Sequence, residues 1–258
     1  MPKFLTHWPA APLRTAPRIL HLALCAALLS ACAAVGPETG IHDPYEARNR
    51  KVHEFNKAVD QNIVRPSAFG YGGAAPGPIR TGVQNFALNI GLPATVLNNL
   101  LQGRLKPALK NTARLAVNST IGIGGLLDPA TSMGLEGKST GFGETLHVWG
   151  MAEGNYVELP LVGPSTDRDA LGLVMDIGLD PLRFILPTAE ANASTGLQIL
   201  AGLGRRFRYS DTIDSILYES ADSYAQARIL YLQNRRFELG QTVETGDFVD
   251  PYEDPYAP

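Results

Sequence analysis

From Ala33 to Pro258 the chain contains no cysteine; its two, Cys25 and Cys32, both lie near the N-terminus. That absence removes a disulfide framework, a thiol nucleophile and a cysteine-based zinc site from the body of the protein. Long apolar runs are missing as well. Nothing after Leu29 reaches the roughly 18 uninterrupted apolar residues of a conventional membrane-spanning helix. Basic clusters are also absent, so the chain has no electrostatic footprint for nucleic acid. Histidine is scarce: beyond residue 31 there are only His42, His53 and His147, with no metal-ligand spacing, and no carboxylate cluster calls for a metal. No cofactor or metal is therefore expected. What is present is 258 residues, 45% of them hydrophobic, sufficient for one folded domain with a real core. Glycine (26) and proline (19) are frequent enough to interrupt elements often, which predicts many short helices.

The first 31 residues hold Lys3, Arg14 and Arg18 and no acid, so their removal takes the net charge from -3 to -6. The apolar run Ile19 to Leu29, broken only by His21, follows them, as in a secretory signal peptide. Leu29-Ser30-Ala31-Cys32 resembles the lipobox of bacterial lipoproteins at all four positions. An ordinary cleavage site with a chance cysteine is the alternative. The resemblance implies a signal peptide over 1–31, a Cys32 carrying three fatty chains and a lipid-anchored linker over 32–42. Each buried methylene contributes about 0.8 kcal/mol, so several chains anchor stably where one is marginal. Ala33 is not the Asp that tends to hold such proteins in the inner membrane, which favours the outer membrane.

Apolar periodicity predicts amphipathic helices through the rest of the chain. The first opens at Asp43-Pro44-Tyr45-Glu46, with Asp43 as cap and Pro44 at the first helical position, and ends at Arg65-Pro66. Tyr71 to Pro78 reads as a connector. A short helix follows over Ile79 to Ile90, a third opens at Pro93 and is capped by Gly103, and a fourth runs from Pro107 to a tight glycine turn at Gly122-Ile123-Gly124-Gly125. Gly134 to Gly163 has no helical period and reads as a long loop or hairpin, with Tyr156 to Leu159 its only strand-like run. Asp167 to Leu186 fits two half-helices, with Asp167, Arg168 and Asp169 as capping residues. A further helix is closed by Gly204, and a last one of about seven turns runs from Ile213 to just before Gly240. Residues 241–258 form an acidic, Pro-rich tail.

Two enzyme-like fragments overlap at Gly137-Lys138-Ser139-Thr140-Gly141. A phosphate loop needs a glycine where Ser132 stands, together with a preceding buried strand. A Gly-x-Ser-x-Gly nucleophile elbow needs an acid and then a histidine downstream, and here only Glu144 and His147 follow, crowded into the same stretch. Neither match holds, and no enzymatic activity is expected.

The order of short motifs resembles the MlaA (VacJ) family of outer-membrane phospholipid-transport lipoproteins over Asp43 to Gly240. It rests on Asp43-Pro44-Tyr45-Glu46 with Asn49-Arg50, Phe55-Asn56, Ile63-Val64-Arg65-Pro66, Asn85-Phe86, Asn98 with Leu101-Gln102-Gly103, and Arg114 with Asn118-Ser119-Thr120. It continues through Gly124-Gly125-Leu126-Leu127-Asp128, Phe142-Gly143-Glu144-Thr145-Leu146, Tyr156-Val157-Glu158-Leu159-Pro160 and Arg168-Asp169. The tail after Gly240 departs from the pattern. The resemblance implies an all-α fold, a ring-like bundle of amphipathic helices lying in one leaflet, with a long Gly-rich loop or hairpin. It also implies a central channel that takes misplaced phospholipid from the outer leaflet and passes it to a periplasmic lipid-carrier protein. A trimeric porin is a further partner of some relatives. On this basis Gly124, Gly125, Phe142, Gly143, Leu146, Trp149, Gly150, Tyr156, Pro160 and Gly163 are the candidate channel or gating positions. Asn56, Arg65, Pro66, Asn85, Phe86, Asn98, Gly103, Asn118, Asp128 and Asp169 are the candidate structural ones. The competing reading is an envelope lipoprotein that scaffolds without a lipid channel.

Overall fold

A helix starts where a residue can satisfy its free N–H groups and stops where glycine or an extended residue breaks the ladder. By that rule the computed structural model, which describes residues 43–241, is built of helices and one β-hairpin. Helix α1 (Glu46–Val59) starts two residues later than its capping signal predicts. The Asp43 carboxylate is used elsewhere: it accepts from Asn49 Nδ2 (2.9 Å), from Arg228 Nη1 (2.6 Å) and from the Tyr224 hydroxyl.

Arg65-Pro66 does not end the first helix. A wide π turn over Asp60–Val64 leads straight into α2 (Arg65–Ala74), and the Arg65 N–H reaches back five residues to the Asp60 carbonyl. Pro66, lacking an N–H, falls just after this changed ladder and at the start of α2, where its absence costs least. The predicted connector from Tyr71 is therefore mostly helix. Nor does Pro93 begin a separate helix: α3 runs unbroken from Gly77 to Leu101. An interior proline costs about 3 kcal/mol, and the packing of α3 against the helices Leu105–Thr120 and Thr188–Arg208 offsets it. Gly103, with φ +70°, closes the helix as expected.

Helix α4 (Leu105–Thr120) ends in the predicted glycine turn, with Gly124 at φ +68° and Gly125 at φ +96°. A Cβ on Gly122 would stand 2.6 Å from the Leu127 carbonyl, so this turn requires glycine for closeness as well. Asp128 caps the single turn α5 (Pro129–Ser132) by accepting from the Thr131 N–H at 3.2 Å. The stretch from Gly134 is less irregular than its glycines suggest: it contains a short helix, α6 (Phe142–Val148). Strands β1 (Tyr156–Leu159) and β2 (Gly163–Thr166) then pair antiparallel, Tyr156 opposite Thr166 and Leu159 opposite Gly163.

Two half-helices follow as predicted, α7 (Asp167–Gly178) and α8 (Pro181–Ile185). The cap of α7 is Thr166, whose hydroxyl accepts from Asp169 N, and not the acidic run after it. Helix α9 (Thr188–Arg208) passes through Gly204, which faces the Tyr71 ring of α2 and serves close packing, not termination. The predicted seven-turn final helix is broken. Helix α10 (Ser210–Asp214) and a π turn (Ser215–Glu219) end at Ser220, and α11 (Ser223–Glu238) restarts with the Asp222 carboxylate on the Ala225 N–H. No described helix is long and apolar enough to cross a membrane. The lipobox, Cys32 and residues 242–258 of the acidic tail lie outside the described residues.

Candidate functional site: a polar interior beneath an apolar surface

The distribution of side chains inverts the usual one. Leu109, Phe184, Ile185 and Phe237 are 72%, 76%, 72% and 80% exposed, and they head a long series of outward-facing Leu, Ile and Phe residues. Inside, the fully buried large side chains are Arg168, Tyr156, Asn49, Asn111, Thr145 and Thr166. Among the described residues, the buried apolar cluster is small, built of Tyr156, Tyr224 and Leu232. A buried polar group is costly unless bonded, so the interior is organised as hydrogen-bonded seams between helices.

The first seam docks α1 against the hairpin. Asn49 and Asn56 are two helical turns apart and share one face of α1. The Asn49 amide donates to the Tyr156 carbonyl and accepts from the Glu158 N–H, both at 3.1 Å. Asn56 repeats the pattern one step along, donating to the Leu159 carbonyl (2.9 Å) and accepting from the Leu161 N–H (2.7 Å). Asn49 thus satisfies the strand edge that β2 leaves unpaired, and Asn56 holds the start of the hairpin turn. Between them His53 stands 3.3 Å from Glu158 Oε1 through Nδ1 and 3.0 Å from Ser223 Oγ through Nε2.

Hydroxyl, imidazole and carboxylate here follow the order of a hydrolase triad. The surroundings are those of a structural clamp: Ser223, His53 and Glu158 are 8%, 2% and 4% exposed, and Glu158 also accepts from the Tyr156 hydroxyl. The trio ties α1, β1 and α11 together. Residues 53, 158 and 223 are too far apart in sequence for any local pattern to join them.

A second seam fixes α6. The Asp176 carboxylate of α7 accepts from the Phe142 N–H (2.9 and 3.1 Å) and from Asn98 Nδ2 of α3 (3.0 Å). Thr145 donates to Asn98 Oδ1 at 2.8 Å and Gln102 donates to Thr140 and Thr145 at 2.8 and 3.0 Å. The Glu144 carboxylate pairs with Arg104 and accepts from Thr140 (2.8 Å). Burial alone would raise its pKa; the Arg104 and Thr140 bonds outweigh burial and hold it below the ordinary value.

Asp169 behaves alike: burial opposes its charge, but the Arg235 fork and the Tyr231 hydroxyl prevail and depress its pKa. Arg168 beside it is buried, and its Nη1 points at His147 Nδ1 (3.4 Å). Burial first, then the Arg168 and Arg235 charges, push the His147 pKa down, so the ring is neutral and free to accept. Helices α6 and α7 meet through glycine on both sides: a Cβ on Gly172 would stand 2.5 Å from Gly143 Cα.

The candidate gating positions fall into three places. Phe142, Gly143, Leu146, Trp149 and Gly150 form α6 and its C-terminal turn, with Phe142 edge-on to Trp149 at 5.6 Å and Trp149 Nε1 donating to the Leu101 carbonyl at 3.0 Å. Tyr156, Pro160 and Gly163 belong to the hairpin. Tyr156 sits in its buried base and Pro160 at its exposed tip. Gly124 and Gly125 lie apart from both, in the turn between α4 and α5, where a Cβ on Gly125 would stand 2.6 Å from Asn89 Nδ2.

The candidate structural positions join separate helices. Arg65 Nε donates to Asp214 (2.9 Å), Asn85 donates to the Leu126 carbonyl (3.2 Å), and Arg114 grips both oxygens of Asp128 (3.2 and 3.0 Å). Asn118 donates to Asp128 (2.9 Å) and accepts from the Ala130 N–H (3.1 Å). Phe86 is half-buried on α3. Sequence reasoning missed Arg206, which forks onto Asp60 (2.9 and 2.7 Å) and joins the two π turns through Asp214 and Tyr218. Among the described residues, no group of three or more His, Cys, Asp or Glu is arranged to hold a metal.

Known proteins agree with this architecture. The family model described as MlaA lipoprotein matches residues 41–238. The intermembrane phospholipid transport system lipoprotein MlaA of Escherichia coli K12 is 34% identical over 245 residues, covering 93% of this chain and 94% of that one. An uncharacterised protein of Rickettsia typhi is 32% identical over 189 residues, covering 73% of this chain and 74% of its own. A solved chain described under "Structural basis for maintenance of bacterial outer membrane lipid asymmetry" superposes with a TM-score of 0.64 at 28% identity, over 76% of this chain and 98% of that one. With the family model spanning nearly all the described helices and hairpin, the chain belongs to the MlaA lipoprotein family.

Proposed function

We propose that this protein is a lipid-anchored outer-membrane component, facing the periplasm, that withdraws misplaced phospholipid from the outer leaflet and passes it to a periplasmic carrier. The inverted distribution of side chains carries the reading. Apolar residues facing outward on helices too short or too polar to span suit burial within one leaflet, where hydrocarbon replaces water as their partner. Polar seams inside offer a headgroup hydrogen-bonding partners while the acyl tails remain against apolar surface. Transport of this kind breaks and makes no covalent bond, in keeping with a buried His53 trio used as a clamp. The α6 region and hairpin, from Gly141 to Gly163, are the proposed controlling elements, with Gly124-Gly125 as a supporting turn and a trimeric porin as a candidate neighbour. The names and structures of the relatives support the same activity.

The test is replacement of MlaA in an Escherichia coli deletion strain by the full chain. Outer-leaflet phospholipid, measured by phospholipase digestion of intact cells, should return to wild-type levels, together with resistance to detergent. Acylated, membrane-bound protein that leaves outer-leaflet phospholipid at the deletion level would favour a scaffold without transport.

A further inference from the structure

We infer that a cavity of about 380 Å³, bounded by the 138–141 loop, α6 and the last turn of α11, binds a zwitterionic phosphoethanolamine group, a phosphate beside a primary ammonium. The inference rests on the transport reading above and assigns it a headgroup site. Lys138, Ser139, Glu144, Arg235 and Glu238 contribute its polar walls. Two cations and two carboxylates line it. A pocket for phosphate alone would show an excess of positive charge, and one for a cation alone an excess of acid.

Two of these groups hold spare capacity, one of each sign. Lys138 Nζ donates to the Glu238 backbone carbonyl (3.0 Å), and among the described residues no carboxylate is ion-paired with it. The adjacent Ser139 is exposed and lines the cavity. These consecutive donors come from the Gly-Lys-Ser-Thr-Gly segment that fails as a phosphate loop, and a phosphate needs only the donors. The exposed Glu238 carboxylate takes one long contact from Arg235 Nη1 (3.3 Å) and one bond from Asn234 (3.1 Å). A carboxylate has about four acceptor sites, which leaves room for an ammonium.

The remaining two groups are fixed. Glu144 is held by Arg104 and Thr140, and Arg235 by Asp169, so they set the potential without needing to move. Ligand clefts run from roughly 300 to 1,000 Å³, so this one suits a headgroup and excludes a whole phospholipid. The tails must stay outside, where Phe237 on the same helical turn is exposed.

The test titrates the full acylated protein in detergent micelles, by calorimetry, with dihexanoyl phosphatidylethanolamine, phosphatidylcholine and phosphatidylglycerol, and with inorganic phosphate. The ethanolamine lipid should bind at least fivefold tighter than the other two, because only it donates N–H bonds to Glu238 while its phosphate meets Lys138. Glu238→Gln should abolish that preference. Lys138→Ala should weaken all three lipids about tenfold, one charge-assisted contact, and Lys138→Arg should restore them to within about twofold.

Equal binding of the three headgroups, or a preference that survives Glu238→Gln, would overturn the inference. So would an arginine variant as weak as the alanine one, since Lys138 would then act only through its tie to the Glu238 carbonyl. Inorganic phosphate binding as tightly as the ethanolamine lipid would make the cavity a free-phosphate site and overturn it too. The two readings separate cleanly: a wild-type chain that restores lipid asymmetry but shows no headgroup preference loses the site and keeps transport. One that shows the preference without restoring asymmetry loses transport.

Discussion

Asp169→Asn changes one carboxylate oxygen for an amide nitrogen in the part-buried ion pair with Arg235, and its cost follows from the bonds lost. The carboxylate accepts from Arg235 Nε (2.8 Å), Arg235 Nη2 (2.9 Å) and the Tyr231 hydroxyl (2.7 Å). Asparagine retains one acceptor and turns a donor toward a guanidinium that can only donate. Breaking one side of a buried pair costs about 3–5 kcal/mol, mostly by stranding the partner charge. Here the side chains of Asp169 and Arg235 are 11% and 17% exposed, so some water reaches them. That lowers the expectation to about 2–4 kcal/mol.

Equilibrium denaturation of the acylated protein in detergent reads this through Trp149, the only tryptophan after residue 31. Adding Arg235→Met to Asp169→Asn should recover about half of the loss, because the stranded charge is then gone. The pH dependence has a defined sign. A folded pKa held below the ordinary value gives stability that is present above about pH 4 and lost as pH falls through the folded pKa. The difference between wild type and Asp169→Asn should therefore be constant from about pH 5 upward and shrink below about pH 4. A cost under about 0.5 kcal/mol, or a difference that does not change between neutral and acid pH, would refute the reasoning.

Three further outcomes are expected. Gly172→Ala should destabilise by about 1–3 kcal/mol, since its Cβ would meet Gly143 backbone that cannot yield; Gly196→Ala, exposed with nothing within 4 Å, should stabilise by about 0.5–1 kcal/mol, and thermal melts compare the two. In the Cys32→Ala chain, Leu109→Lys and Phe184→Lys should each reduce liposome binding about tenfold in flotation while circular dichroism is unchanged; equal flotation would place these residues in water. Asp222→Ala should cost about 1 kcal/mol through loss of the α11 cap, whereas Asp222→Asn should retain most of it. The Arg50 bond and then the Ala225 N–H hold the Asp222 pKa down to about 2, so the gap between wild type and Asp222→Asn should close as pH falls from about 4 toward that value.

Features that depend on neighbours in the chain were legible in the sequence. Apolar spacing of three and four located the helices, Gly103 and Gly122 to Gly125 marked their ends, and Tyr156 to Leu159 read as strand, because each is decided by local backbone sterics and periodicity. The motif order located the family because it is a property of the residue order alone. What the tertiary structure alone decided is where a local signal is overruled or completed by a distant partner. Pro66 and Pro93 sit within continuous helical segments because π-turn geometry and packing on both sides outweigh a missing N–H, and Gly204 continues a helix because Tyr71 lies against it. Asn49, Asn56 and Asp169 stand in family motifs and His53 in none, but what each one bonds to is set by Tyr156, Leu159, Arg235 and Ser223, more than 60 positions away. A hydrogen bond holds only when both groups are brought within about 3 Å, and for groups so distant along the chain only the completed fold does that.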